Sequence, residues 1–156
     1  MPINQAKSDQ ENRETKSTDR LLIIDDDICF GALMSAVAPK YNLEPRFFPS
    51  LVDMGSFARI RDFDIAVIDY FLGHLRGDEI AEYVDTFFDD IPVIIVSAEE
   101  SLSQREKTWP ESVRIFLPKS IGPDGIAATA RKVLSRDRFL KRFEHTSHDS
   151  FLNHGS

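Results

Sequence analysis

Five times along this chain a short apolar run is followed by a longer stretch with helical spacing, and that alternation narrows the possible folds more than any other feature. The apolar runs cover 21–24, 45–48, 65–68, 91–96 and 113–117 and are rich in Ile, Val and Phe. Runs this short and this continuously apolar are those of strands buried on both faces. Between them, Phe30, Leu33, Met34 and Val37 share one helical face. Leu51, Met54, Phe57 and Ile60 share a second, and Ile80, Tyr83, Val84 and Phe87 a third. Residues 99–108 predict a polar, weakly patterned fourth helix, and Ile126, Ala130, Val133 and Leu134 mark a fifth. Ser50 and Asp78 suit helix N-caps, and Pro39 and Pro92 sit near breaks. A βα unit repeated five times requires a mainly parallel α/β sheet with helices on both faces and right-handed crossovers. In such sheets ligands bind beyond the C-terminal ends of the strands.

Those ends carry the reactive residues. The first apolar run ends in Asp25-Asp26-Asp27, the third in Asp69, the fourth in Ser97, and the fifth just before Lys119. Capping of the next helix explains one aspartate after a strand, but not three in a row. Carboxylates crowded on one rim repel each other, and a divalent cation removes that cost. Oxygen donors with no His or Cys beside them suit Mg2+ or Mn2+. A lysine ammonium and a serine hydroxyl on the same rim are groups that hold phosphoryl oxygens, and an aspartate can itself be a nucleophile. The residues alone therefore read as Mg2+-assisted phosphoryl transfer to or through a carboxylate.

Charge and composition exclude other classes. The net charge is −7, and residues 21–130 hold nineteen acidic groups against nine basic, which argues against a surface built for nucleic-acid phosphates. The single cysteine, Cys29, rules out an internal disulfide framework and favours a reducing, cytoplasmic setting; its place in the first helix predicts a core packer. No apolar run approaches the roughly 20 residues needed to span a membrane, so no membrane insertion is expected. Residues 1–19 are polar and predict a disordered leader.

With these positions in register, the chain resembles a receiver domain of two-component response regulators, of the stand-alone, chemotaxis-regulator-like kind, over about residues 20–135. The resemblance rests on several motifs. Asp25-Asp26 follows Leu21-Leu22-Ile23-Ile24, and Asp69 follows Asp64-Ile65-Ala66-Val67-Ile68. Gly77 lies eight residues beyond Asp69, Ser97-Ala98 follows the fourth run, and Lys119 follows Ile115-Phe116-Leu117-Pro118. The spacings of 44 residues from Asp25 to Asp69 and 22 from Ser97 to Lys119 match the family as well. The resemblance implies a flavodoxin-like, doubly wound, five-stranded parallel sheet of strand order 2-1-3-4-5. It makes Asp69 the phosphoacceptor, supplied by a histidine kinase or a histidine phosphotransfer protein. Asp25, Asp26, Asp69 and the Phe71 backbone carbonyl would hold Mg2+, Ser97 would hydrogen-bond the phosphoryl group, and Lys119 would pair with it. Phe116 takes the family's aromatic switch position. Such a protein is a signalling phosphoacceptor and not an enzyme, catalysing at most its own phosphorylation and dephosphorylation. A downstream protein, or a second copy in a homodimer, would read the face of the fourth helix, fifth strand and fifth helix. The sequence departs from the family at two places. Tyr70-Phe71-Leu72-Gly73-His74 stands where Met-Pro usually follows the phosphoacceptor, and Lys119 precedes Ser120 instead of a proline in a cis peptide.

Two rival readings share these residues. One is a phosphorylation-independent, receiver-like adaptor whose rim is only a metal or capping site. The other is a haloacid-dehalogenase-type phosphatase using Asp25 and Asp27; it needs a further acidic motif ending a strand beyond Lys119, and none of Asp124, Asp137, Glu144 or Asp149 ends an apolar run. Residues 136–156 predict a basic helical extension and flexible tail, with Arg136, Arg138, Lys141 and Arg142 beside Phe139, Leu140 and Phe143. That extension reads as a prolonged fifth helix packing locally, or as a patch that docks a partner. It leaves no room for an ordinary output domain, so a stand-alone receiver is expected.

Overall fold

The computed structural model describes residues 18–75, 77–88, 90–100 and 109–152. Five strands, β1 (Asp19–Ile24), β2 (Leu43–Phe48), β3 (Ile65–Asp69), β4 (Val93–Ser97) and β5 (Val113–Pro118), form one sheet of order β2-β1-β3-β4-β5. Every pairing is parallel. Three α-helices are described: α1 (Ile28–Val37), α2 (Gly77–Phe87) and α3 (Gly122–Leu152). Strand residues alternate between two cores, as a period of two requires. Leu22, Ile24, Ala66, Ile68, Val93 and Ile95 meet Ile80, Val84 and Phe88 at α2 on one face. Leu21, Ile23, Ile65, Val67, Ile94 and Val96 meet α1 and α3 on the other, through Phe30, Met34, Ile126, Ala130 and Leu134. Apolar residues on both faces of β1, β3 and β4 are why those runs carry no polar alternation.

The expected second helix is not an α-helix. Residues 51–62 form two 3-10 segments, Val52–Met54 and Phe57–Asp62, broken at Gly55 (φ 81°), a conformation that favours glycine. Ser56 restarts the chain by accepting from the Ala58 N–H at 3.3 Å. Leu51, Met54 and Ile60 are buried as the pattern implied, because a spacing of three suits a 3-10 turn as well as an α-helix. The N-cap position of the first segment is Leu51 and not Ser50, but the Ser50 hydroxyl still accepts from the Asp53 N–H and donates to the Asp53 carboxylate. Helix α2 starts at Gly77, which places Asp78 within the helix and not ahead of it. Most of the expected fourth helix, 101–108, lies outside the described residues. So do residues 1–17 of the expected leader; Asp19, assigned to its end, is instead the first residue of β1 and almost fully buried.

Helix α3 continues unbroken through residue 135 to Leu152. Arg138 and Lys141, two of the basic groups named for docking, are engaged with the chain itself, at the N-terminal ends of the strands. Arg131 and Arg138 each reach the Asp19 carboxylate at 2.7 Å, and Arg138 also lies 3.4 Å from Asp64. Lys141 pairs with Asp137 and donates to the Asp90 carbonyl. Asp137 also holds Arg114 at 2.8 Å. The two arginines outweigh the burial of Asp19 and hold its carboxyl below the usual carboxylate range.

Candidate functional site

The three consecutive aspartates after β1 do three different things. Asp25 is 1% exposed; its Oδ1 accepts from the Asp27 N–H at 2.8 Å, and its Oδ2 has the Lys119 ammonium 2.7 Å away. Asp26 is exposed and accepts from the Gly73 N–H at 3.2 Å, tying down the loop after β3. Asp27 is the N-cap of α1, its Oδ1 accepting from the Phe30 N–H at 3.1 Å. Capping therefore accounts for Asp27 alone.

Asp69 ends β3 at 5% exposure. The Phe71 N–H lies 3.4 Å from its Oδ1 and the Lys119 Nζ 3.4 Å from its Oδ2. Burial, and then the negative charge of Asp25, push the Asp69 carboxyl up to about 7; Lys119 and the Phe71 N–H only partly oppose them. Lys119 also shifts upward, but there the shift favours the charged form. Burial works against its charge, but Asp25 and Asp69 outweigh that and hold the ammonium above its ordinary pKa. Carboxylate oxygens of Asp25, Asp26 and Asp69 all lie within 4.8 Å of one another. One ammonium cannot balance three carboxylates. An all-oxygen cluster with a partly uncompensated, buried acid fits a hard divalent cation such as Mg2+ or Mn2+.

Ser97 ends β4, fully buried, its hydroxyl accepting from the Glu99 N–H at 3.0 Å. Phe116 is half-buried in β5 against an aromatic group: Tyr70 meets it edge-on at 6.2 Å, and Trp109 lies at 6.2 Å. Tyr70 is buried, whereas its neighbour Phe71 is 44% exposed. The loop turns at Leu72–Leu75, with the Leu75 N–H donating to the Leu72 carbonyl and Gly73 at φ 59°. A positive φ at the first central residue is what a type II′ turn demands, and glycine supplies it. His74 stays exposed on this turn. No cis peptide bond occurs among the described residues. After Lys119 the chain enters a 3-10 turn, Lys119–Ile121, and Ser120 donates to Glu100 at 2.9 Å.

The structure thus gathers Asp25, Asp26, Asp69 and Lys119 into one cluster, with Ser97 at the end of the next strand and Phe116 packed against Tyr70, the residue after Asp69. Two expectations need correction or addition. Cys29 is not a core packer but faces solvent, because the buried face of α1 starts one residue later at Phe30. Phe30 itself belongs to the site: the Lys119 Nζ sits 4.6 Å from the centre of its ring. The only sequence signal for this was its place three residues after Asp27.

The model of the response regulator receiver domain matches residues 21–131. The chain belongs to that family. The heme response regulator HssR of Staphylococcus saprophyticus is 26% identical over 115 residues, covering 74% of this chain and 51% of the relative. HssR of Staphylococcus epidermidis is 26% identical over 117 residues with the same coverage. This receiver domain therefore spans about half the length of the curated relatives it matches. Solved receiver domains share its fold. One from Clostridium thermocellum has a TM-score of 0.66 at 17% identity, covering 78% of this chain and 98% of its own. TrrA of Thermotoga maritima, in complex with Mg2+ and BeF, has a TM-score of 0.61 at 17% identity, covering 73% and 97%. The family is one of signalling modules. No helix among the described residues is long and apolar enough to cross a membrane.

Proposed function

We propose that Asp69 accepts a phosphoryl group from the phosphohistidine of a histidine kinase or histidine phosphotransfer protein, and that this switches a protein-binding face. One observation carries the reading: a buried carboxyl at the end of β3 with carboxylates of Asp25 and Asp26 within 4.8 Å and the Lys119 ammonium at 3.4 Å. An Asp69 oxygen attacks phosphorus in line, the P–N bond breaks, and the imidazole leaves on the donor. Asp25, Asp26, Asp69 and the Phe71 carbonyl would hold Mg2+, which when bound neutralises charge between carboxylates and phosphoryl oxygens. Lys119 supplies a second positive charge, and Ser97 trades the Glu99 N–H for the new phosphoryl oxygens. The movement of Ser97 opens space into which Phe116 turns, biasing a two-state element. The face then read by a downstream protein or a second copy includes β5 and α3. Between them Ile115, Val133 and Leu140 line a shallow groove of about 370 Å³ rimmed by Arg114, Arg136 and Asp137. We read the chain as a cytoplasmic module acting on protein partners and not on nucleic acid or membrane.

Intact-mass spectrometry after incubation with acetyl phosphate and Mg2+ tests the assignment. The parent should gain one phosphoryl group, the gain should vanish with EDTA, and Asp69→Asn should gain none. Labelling of Asp69→Asn at the parental level sinks it. Absence of labelling with acetyl phosphate, phosphoramidate and a phosphotransfer protein alike, despite measurable Mg2+ binding, would leave the phosphorylation-independent adaptor. Steady hydrolysis of p-nitrophenyl phosphate would leave the phosphatase.

A further inference from the structure

We propose that Phe30 is a positioning residue for Lys119, its ring the seat that holds the ammonium between Asp25 and Asp69; this rests on the phosphoacceptor reading above. The Lys119 side chain is 15% exposed and, among the described residues, contacts three groups: Asp25 Oδ2 at 2.7 Å, Asp69 Oδ2 at 3.4 Å and the Phe30 ring at 4.6 Å. The first two are also the carboxylates that would bind a divalent cation, so a cation arriving there competes with Lys119 for the same oxygens. The aromatic face is the one contact of the three that such a cation does not take over. Aromatic faces attract ammonium groups within about 6 Å, and more strongly where water is excluded. Phe30 is itself fixed at both ends. Its N–H is held by the capping carboxylate of Asp27, and its ring is 7% exposed in the core shared by α1 and α3. The ring therefore cannot follow the lysine, and the lysine must pivot about it. An ammonium released from Asp25 and Asp69 stays over the site, aimed at the phosphoryl group, instead of swinging into solvent. This gives the third consecutive aspartate a part in the chemistry: Asp27 aims Phe30, and Phe30 aims Lys119.

Phe30→Leu keeps an apolar side chain of similar volume and removes the π face. In the metal-free protein, NMR signals of the Lys119 side chain should be shifted upfield by the ring current and should return toward free-lysine values in Phe30→Leu. Its rate of Mg2+-dependent labelling by acetyl phosphate should fall roughly tenfold, the order of a desolvated cation–π contact, with Phe30→Tyr restoring both. In a Lys119→Ala background, Phe30→Leu should cost nothing more, because the two residues act as a unit. Unshifted Lys119 signals in the parent would overturn the contact, whatever happens at Asp69. An equal further loss in the Lys119→Ala background, or no rescue by tyrosine, would reduce Phe30 to a packing residue. A parent that shows the shifted signals yet is never phosphorylated would overturn the phosphoacceptor reading, and the positioning role with it.

Discussion

Asp69 and Lys119 should change stability in opposite directions when replaced, because the cluster carries more negative charge than one ammonium can balance. The Asp69 carboxyl is held at about 7 in the folded chain against an ordinary 3.8. Between those values the folded state keeps a proton that the unfolded chain has released, so metal-free stability falls as pH rises through that window. Asp69→Asn, which cannot ionise, should therefore raise metal-free stability at pH 8 by on the order of 2 kcal/mol. The gain should shrink as pH falls toward 3.8 and disappear below it, where both states are protonated; urea unfolding at pH 8 and near pH 3 checks it. Lys119→Met leaves the buried Asp25 Oδ2 without a cation and should lower stability by about 3 kcal/mol in the same assay. Added Mg2+ should raise the melting temperature of the parent at pH 7.5, and much less that of Asp25→Asn, since a cation that binds only the folded state stabilises it by mass action.

At the scale of elements, α1 is set by a close approach that no hydrophobic pattern announces. A Cβ on Gly31 would lie 2.3 Å from the Phe47 ring of β2. Gly31→Ala should therefore cost about 1–3 kcal/mol despite its better helix propensity, measurable as a lowered unfolding midpoint. The strands and the rim residues Asp25, Asp69, Ser97 and Lys119 were legible in the sequence because apolar runs of four to six residues have sharp polar ends. The segment 51–62 was less so, since Leu51, Met54, Phe57 and Ile60 at a spacing of three fit two kinds of helix, and Gly55 and Ser56 decide between them. Phe30 was hidden for a different reason. An aromatic on the buried face of a helix reads as core, and it is core, but its ring also meets a cation brought there by a strand 80-odd residues later in the chain. Cys29 was misplaced by the same one-residue uncertainty in the helix phase.

Across the whole molecule, the rim and the aromatic group beside it should report on each other. Trp109 is the chain's one tryptophan and lies 5.9 Å from Tyr70 and 6.2 Å from Phe116. Its emission should change when Asp69 is phosphorylated, and Phe116→Ala should abolish that change while leaving labelling intact. An unaltered Trp109 signal in the labelled parent would disprove the coupling. The opposite end of the sheet has a different character. There Asp19, at the start of β1, is met by Arg131 and Arg138, 112 and 119 residues further on. Local helices form early and cheaply, but a closure over such a separation comes late and slows folding. During synthesis β1 emerges long before these arginines exist, so its first carboxylate has to wait, solvated, for α3. A nascent chain halted at residue 130 would hold all five strands and every rim residue of the proposed phosphorylation site, yet leave the opening residue of β1 unclasped. Completion of the fold is thus timed by the synthesis of α3 and not by the assembly of the site.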